Sequence, residues 1–167
     1  MNSTGLYFVR HFVRLLPDTR CFRLKRFLYR ICGVKIGINV RICSSAIICG
    51  DGELLIGDNT WIGHESFISS SSTVTIGADV NIAPRVFIGT GTHEIDFWGP
   101  AIAGRGYNQP IVISDGVWLC SNCVILPGVV VGRKALVAAG AVVTKNIPDK
   151  EMWGGIPARI IRNMKNE

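Results

Sequence analysis

Long apolar runs are absent from this chain. Although 48% of its 167 residues are hydrophobic, no stretch approaches the ~18–20 consecutive apolar residues that cross a bilayer as a helix. Charge is scarce as well, at 18%, while glycine is plentiful at 19 residues. The chain therefore reads as one apolar, turn-rich globular domain and not as a disordered polymer. The segment Met1 to His11 lacks a basic start followed by an apolar core, so it does not read as a secretory signal, and a cytoplasmic protein is expected. Only three histidines occur, His11, His64 and His93, and Cys120-Ser121-Asn122-Cys123 has no second cysteine pair at zinc-finger spacing. With Cys21, Cys32, Cys43 and Cys49, these thiols read as reduced small hydrophobes, and no metal site is expected.

What is present is a six-residue period. Aliphatic side chains recur at Ile36, Ile42, Ile48 and Leu54, then at Ile56, Ile62, Ile68 and Val74, then at Ile76, Ile82 and Ile88. After a gap the count resumes at Ile113 and runs through Leu119, Ile125, Val131, Val137 and Val143. A helix repeats near 3.6 and a half-buried strand at 2.0, so neither accounts for six. A hexapeptide period implies a parallel β-helix of stacked short strands. The fold class is therefore all-β, with about five coils over 36–148. Four places after the ladder residues the side chains are small or β-branched, among them Val40, Ala46, Thr60, Ser66, Val80, Val86, Val117, Ala135 and Ala141, which lets the chain turn a tight corner. Cys123 occupies the same kind of position.

The ends differ. Residues 1–35 form a basic segment with two expected helices, 5–16 and 19–32, broken at Pro17-Asp18 and closed by Gly33. They carry eight Lys/Arg against Asp18 alone, a balance of +7, so the remaining 132 residues sum to −1. The reading preferred here is a helix pair that packs on the β-helix and turns arginine outward; contact with a membrane surface is the second reading. No nucleic-acid motif accompanies the charge. Residues 149–167 read as a C-terminal cap: a loop at Trp153 to Arg159, then a short helix from Ile160 to Lys165.

The gap in the ladder, residues 89–112, leaves the pattern as a long loop, where binding and catalysis tend to sit. It holds His93, Glu94, Asp96, Trp98 and Tyr107. A neutral imidazole at the root of such a loop can take a proton from an alcohol or amine. No nucleophile is legible beside it, which suits direct transfer.

Several runs carry a family resemblance: Ile76 to Pro84, Thr92-His93, Pro110 to Trp118, Val124 to Val129, Ala138 to Pro148 and Gly154 to Arg159. In order and spacing they resemble the hexapeptide-repeat acyltransferases, particularly the galactoside and maltose acetyltransferases and those of surface-polysaccharide and O-antigen synthesis. The resemblance covers about residues 36–162. It implies a left-handed coil, acetyl-CoA as cosubstrate, a homotrimer, and a sugar or glycan acceptor acetylated on a hydroxyl or, second to that, an amine. His93 matches the general base, and Ser121 the position whose N–H supports the thioester oxygen. Ala139 matches a pantetheine contact, and Thr144, Lys145, Arg159 and Arg162 match residues around the nucleotide end of CoA. Glu65, Trp98 and Trp118 are candidate acceptor contacts, and Glu65 or Glu94 could orient His93. One departure stands out: Gly63 occupies the place of an Asn that assists the transition state in the sugar enzymes. N-terminal helices of this kind resemble those of enzymes that work near lipid-linked glycan at the inner face of the membrane. Other readings are an antibiotic acetyltransferase, a carbonic anhydrase of the same fold, which needs three histidines per zinc, and a non-catalytic scaffold.

Overall fold

Every member of the six-residue ladder is buried in the computed structural model, which describes residues 1–164. So are the small corner residues from Val40 to Ala141 and the Cys123 side chain. A fully buried Ile, Leu or Val contributes ~1.5–3 kcal/mol, so the ladder is the main source of stability.

The chain winds through three parallel sheets in turn. The first holds Lys35–Ile36, Glu53–Ile56, Thr73–Ile76, Ile111–Ile113 and Val130–Val131. The second holds Arg41–Ile42, Trp61–Ile62, Asn81–Ile82, Trp118–Leu119, Leu136–Val137 and Glu151–Gly154. The third holds Ile47–Cys49, Phe67–Ser69, Phe87–Gly89, Val124–Ile125 and Val142–Val143. Like stacks on like: Ile42 pairs Ile62, which pairs Ile82, then Leu119 and Val137. Five coils are complete, and a bridge from Val131 to Ile147 begins a sixth. Corners turn through left-handed residues. Between the first and second sheets these are Asn39, Asn59, Asp79, Gly116 and Lys134; the first four are types that tolerate that conformation best.

At the lower end, α1 (Ser3–Val13) and α2 (Phe22–Ile31) lie under the first coil. The Asn2 side chain caps α1 by accepting from Gly5 N–H. Gly33, at φ 90°, ends α2: its N–H donates to Arg30 O and that of Val34 to Tyr29 O.

The cations of α2 have a structural use that the sequence did not disclose. Along the stack, Gly37 N donates up to Ile56 O, Arg41 N to Thr60 O and Cys43 N to Ile62 O. The matching carbonyls of the first coil, on Ile36, Val40 and Ile42, have no coil below them. Arg30 donates to Ile36 O at 2.6 Å, Arg26 to Val40 O at 2.8 Å, and Lys25 Nζ to Ile42 O at 3.2 Å. Three side chains thus replace the N–H groups of a missing coil. The expectation that this segment simply turns its cations outward is corrected to that extent.

At the upper end Glu151–Gly154 extends the second sheet, and Arg159–Asn163 pairs antiparallel with it. The expected terminal helix is therefore a strand up to Asn163; Lys165 lies outside the described residues. The open sheet edge offers unpaired backbone groups, and the β-branched Ile160-Ile161 pair suits a strand.

Candidate active site

The gap in the ladder is not an irregular loop. Gly91–Ile95 and Ala103–Asn108 form an antiparallel hairpin, with Thr92 opposite Tyr107 and His93 opposite Gly106. Its base is locked by Gln109 N donating to Thr90 O at 2.9 Å. Buried Thr90 is tied to the coil below, its Oγ1 accepting from Ser71 N at 2.9 Å and Ser72 N at 3.1 Å. Asp96 Oδ1 shapes the tip by accepting from Trp98 N and Gly99 N. Thr90 and Gln109 fix the base of the hairpin and Gly106 lies opposite His93; the sequence alone did not single them out. The one available signal was a small hydroxyl at Thr90, twenty residues after Ser70, just where the pattern breaks.

His93 stands on this hairpin, exposed, and its ring lies over Gly106: a Cβ there would be 3.6 Å from Nε2. Among the described residues its ring has no hydrogen-bond partner. Glu94 shares the bulge after His93, also exposed. Glu65 is exposed at a corner between the second and third sheets, its carboxylate facing Arg85, Oε2 to Nε 3.5 Å. Trp98 is 96% exposed at the hairpin tip.

Ser121 and Ala139 come together at successive corners between the second and third sheets, where Gly140 N donates to Ser121 O at 2.9 Å. Among the described residues, Ser121 N–H makes no hydrogen bond, so it is available to an incoming oxyanion. Trp118 is half exposed on the second sheet just before this corner, over Asn81 and under Leu136. Thr144 and Lys145 follow the last strand of the third sheet and are exposed. Arg159 begins the capping strand, its Nη1 donating to Ala158 O at 2.8 Å, and Arg162 lies opposite Met152. Val142 N donates to Gly155 O and Ala158 N to Val142 O, so the 155–158 turn and Arg159 close against the strand that leads to Lys145.

One chain does not bring all of these residues together. His93 leaves at the corner between the third and first sheets, whereas Ser121 and Ala139 sit at the corner between the second and third. The width of the third sheet separates them, on the order of 15 Å at ~3.3 Å per residue. Gly63 belongs with the second-to-third corners. A Cβ there would sit 2.6 Å from Ile82 O, so this position admits no side chain. A cleft of about 310 Å³ between Asp79, Asp115, Lys134 and Asp149 lies on the remaining edge, and no candidate residue lines it.

Away from the hairpin, Asp18, His64 and Cys43 place donor atoms within 4.8 Å of one another. Asp18 Oδ2 and His64 Nδ1 are 2.7 Å apart, and the carboxylate also accepts from Ser45 N and Oγ. Burial opposes ionisation of Asp18, but these bonds together hold its carboxyl below the ordinary range. Burial, with the Asp18 charge beside it, pushes the Cys43 thiol up to about 11. The cluster clasps the 17–20 linker to the first two coils.

Known proteins share this architecture. The model of the bacterial transferase hexapeptide family (six repeats) matches residues 110–145. WcaF of Escherichia coli (strain K12), provisionally named a colanic acid biosynthesis acetyltransferase, is 33% identical over 84% of this chain and 75% of its own length. The chain belongs to the hexapeptide-repeat acetyltransferase family. Galactoside O-acetyltransferase of the same strain is 37% identical over 66% of this chain and 54% of its own. The chain spans little more than half the length of several curated relatives it matches, 54–56%. A crystal structure of a hexapeptide-repeat acetyltransferase from Vibrio cholerae O1 biovar eltor with acetyl coenzyme A superposes with a TM-score of 0.78 and 26% identity. That match covers 98% of this chain and 87% of the other.

Proposed function

We propose that this protein moves an acetyl group from acetyl-CoA to a hydroxyl of a sugar or surface polysaccharide. The observation that carries the reading is His93, lifted from a rigid prism on a locked hairpin with its ring free of any described partner. The neutral imidazole takes the acceptor's hydroxyl proton while the oxygen attacks the thioester carbonyl. The new C–O bond forms as charge gathers on the carbonyl oxygen, where Ser121 N–H donates to it. The C–S bond then breaks, and the CoA thiolate leaves with the proton held by the imidazolium. Ala139 admits the pantetheine arm against the backbone, and Thr144, Lys145, Arg159 and Arg162 receive the phosphates. Trp118 and Trp98 are the acceptor contacts in this reading. The relatives support it through galactoside O-acetyltransferase and the acetyl-CoA-bound Vibrio enzyme.

Because His93 and Ser121 stand on different edges of one prism, the site closes between copies, the hairpin of one meeting the second-to-third corner of its neighbour. A homotrimer provides three such sites by symmetry. In the test, His93→Ala is assayed for thiol release with acetyl-CoA and a panel of sugars and oligosaccharides. A loss of at least ~100-fold is expected, the usual range for a missing general base, with CoA affinity retained. Near-normal turnover in that variant sinks the mechanism.

A further inference from the structure

Each N-terminal helix sets one face against the prism and leaves an apolar face uncovered. On α1, Leu6 and Val13 are buried against the core, while Phe8 and Phe12 lie on another side, 67% and 50% exposed, and Leu15, in the turn that follows the helix, is 82% exposed. On α2, Lys25 and Tyr29 face the coil, while Leu24, Phe27 and Ile31 stand opposite, with Ile31 62% exposed. Six large apolar side chains, five in two short helices and one just after the first, are thus left to solvent, beyond the scattered exposure ordinary for a surface.

The charges around them divide into two sets. Lys25, Arg26 and Arg30 are used on the carbonyls of the first coil, and Lys35 pairs with Glu53 at 3.3 Å. Arg10, Arg14, Arg20 and Arg23 face no carboxylate or carbonyl among the described residues, Arg10 instead lying 5.1 Å over the Tyr7 ring. Unspent cations beside exposed Phe, Leu and Ile are the composition of an interfacial helix, which buries its apolar face at the headgroup boundary while Arg meets lipid phosphate. A second copy is the poorer occupant. Face to face it would bring two +7 segments together, and the remainder of the chain, at −1, offers no compensating field.

We propose that the outer faces of α1 and α2 dock this protein onto an anionic phospholipid bilayer, lying on the surface and not crossing it. Among the described residues no helix is long and apolar enough to cross. The proposal stands apart from acetyl transfer, since binding is read with no acetyl donor present.

The test is flotation of the full chain with vesicles of phosphatidylcholine alone or of equimolar phosphatidylcholine and phosphatidylglycerol. Binding to the anionic vesicles is expected to exceed that to the neutral ones at least tenfold and to weaken at high salt. Each arginine near such a surface contributes a factor of about five. Arg14→Gln with Arg20→Gln and Arg23→Gln should therefore lower binding more than tenfold. Phe8→Ser with Phe12→Ser should lower it as well, with circular dichroism and melting unchanged. No binding of wild type to anionic vesicles, or equal binding by either variant, overturns the proposal. So does a Phe8/Phe12 variant that changes sedimentation mass while keeping vesicle binding, which assigns the face to contact between copies.

Discussion

Lys25→Met should destabilise the protein by an amount the geometry sets. Lys25 is fully buried, and burial pulls its ammonium below the ordinary lysine range. Nζ donates to three carbonyls: Asp18 O at 2.6 Å, and Pro17 O and Ile42 O at 3.2 Å. These acceptors are not equivalent. Asp18 O also receives Ser44 N, and Pro17 O receives Arg20 N and the Ser44 hydroxyl. Ile42 O faces the end of the prism, and Lys25 is its one described donor. Methionine keeps the packing of the stem and removes the donor, so one buried carbonyl is orphaned. Such a loss costs about 1–3 kcal/mol, with the relief of the ammonium's own desolvation acting against it. A net loss of about 2 kcal/mol lowers the melting temperature of a chain this size by roughly 4–8 °C.

The assay is calorimetry at neutral pH and matched protein concentration, because any association between copies would make melting depend on concentration. Arg23→Met on the same helix is the control. Arg23 is exposed and bonds no carbonyl of the first coil, so its change should stay within about 0.5 kcal/mol. A Lys25→Met protein that melts at or above wild type, or an Arg23→Met protein that falls as far, refutes the capping argument.

Three other outcomes follow from the same geometry. If the site is shared between copies, co-refolding His93→Ala with an Ala139→Trp protein in equal amounts restores about a quarter of wild-type activity, since each site draws one half at random from two neighbours; a mixture as inactive as its parents places the site within one chain. Asp18 has a depressed folded pKa, so its contribution is full above about pH 4 and is lost as pH falls through the folded value. Urea midpoints at pH 6 and pH 3 should differ more for wild type than for Asp18→Asn, and equal differences remove the clasp. Among the thiols, exposed Cys21 should react first with a disulfide reagent at pH 8, while Cys43 and Cys123, whose pKa values burial raises to about 11 and about 12, stay closed until denaturant is added; early modification of Cys123 contradicts the packed ladder.

The prism was legible because one residue type recurs at one spacing, and the core of a solenoid repeats the same contact in each coil. Ile42 and Val137 occupy one environment four coils apart, so a wrong register would fail at every step. The terminal strand was not legible, because Arg159 to Asn163 has no period and takes its conformation from the edge it meets. The hairpin is a similar case. Its break in the ladder is visible, but the Thr90–Gln109 lock spans nineteen residues and depends on a corner one coil below. At the candidate site, individual residues could be matched by motif, yet their separation on two edges could not. Position along the chain does not report which corner of the prism a residue reaches until the coils are counted through the interruption.

The charge of the N-terminal segment shows most clearly where sequence runs out. Eight cations over 35 residues look like one field, and composition treats them alike. Hydrogen bonding divides them, because the stack donates upward from Gly37, Arg41 and Cys43 and leaves a row of carbonyls facing down. A helix laid under that row with cations at positions 25, 26 and 30 satisfies it, so those charges serve stability, and their loss appears in melting. The arginines at 10, 14, 20 and 23 meet no such row, and their loss should leave melting unchanged. One formal quantity, net charge, thus resolves into two groups with opposite expected signatures. The direction of the backbone hydrogen bonds decides which residue belongs to which.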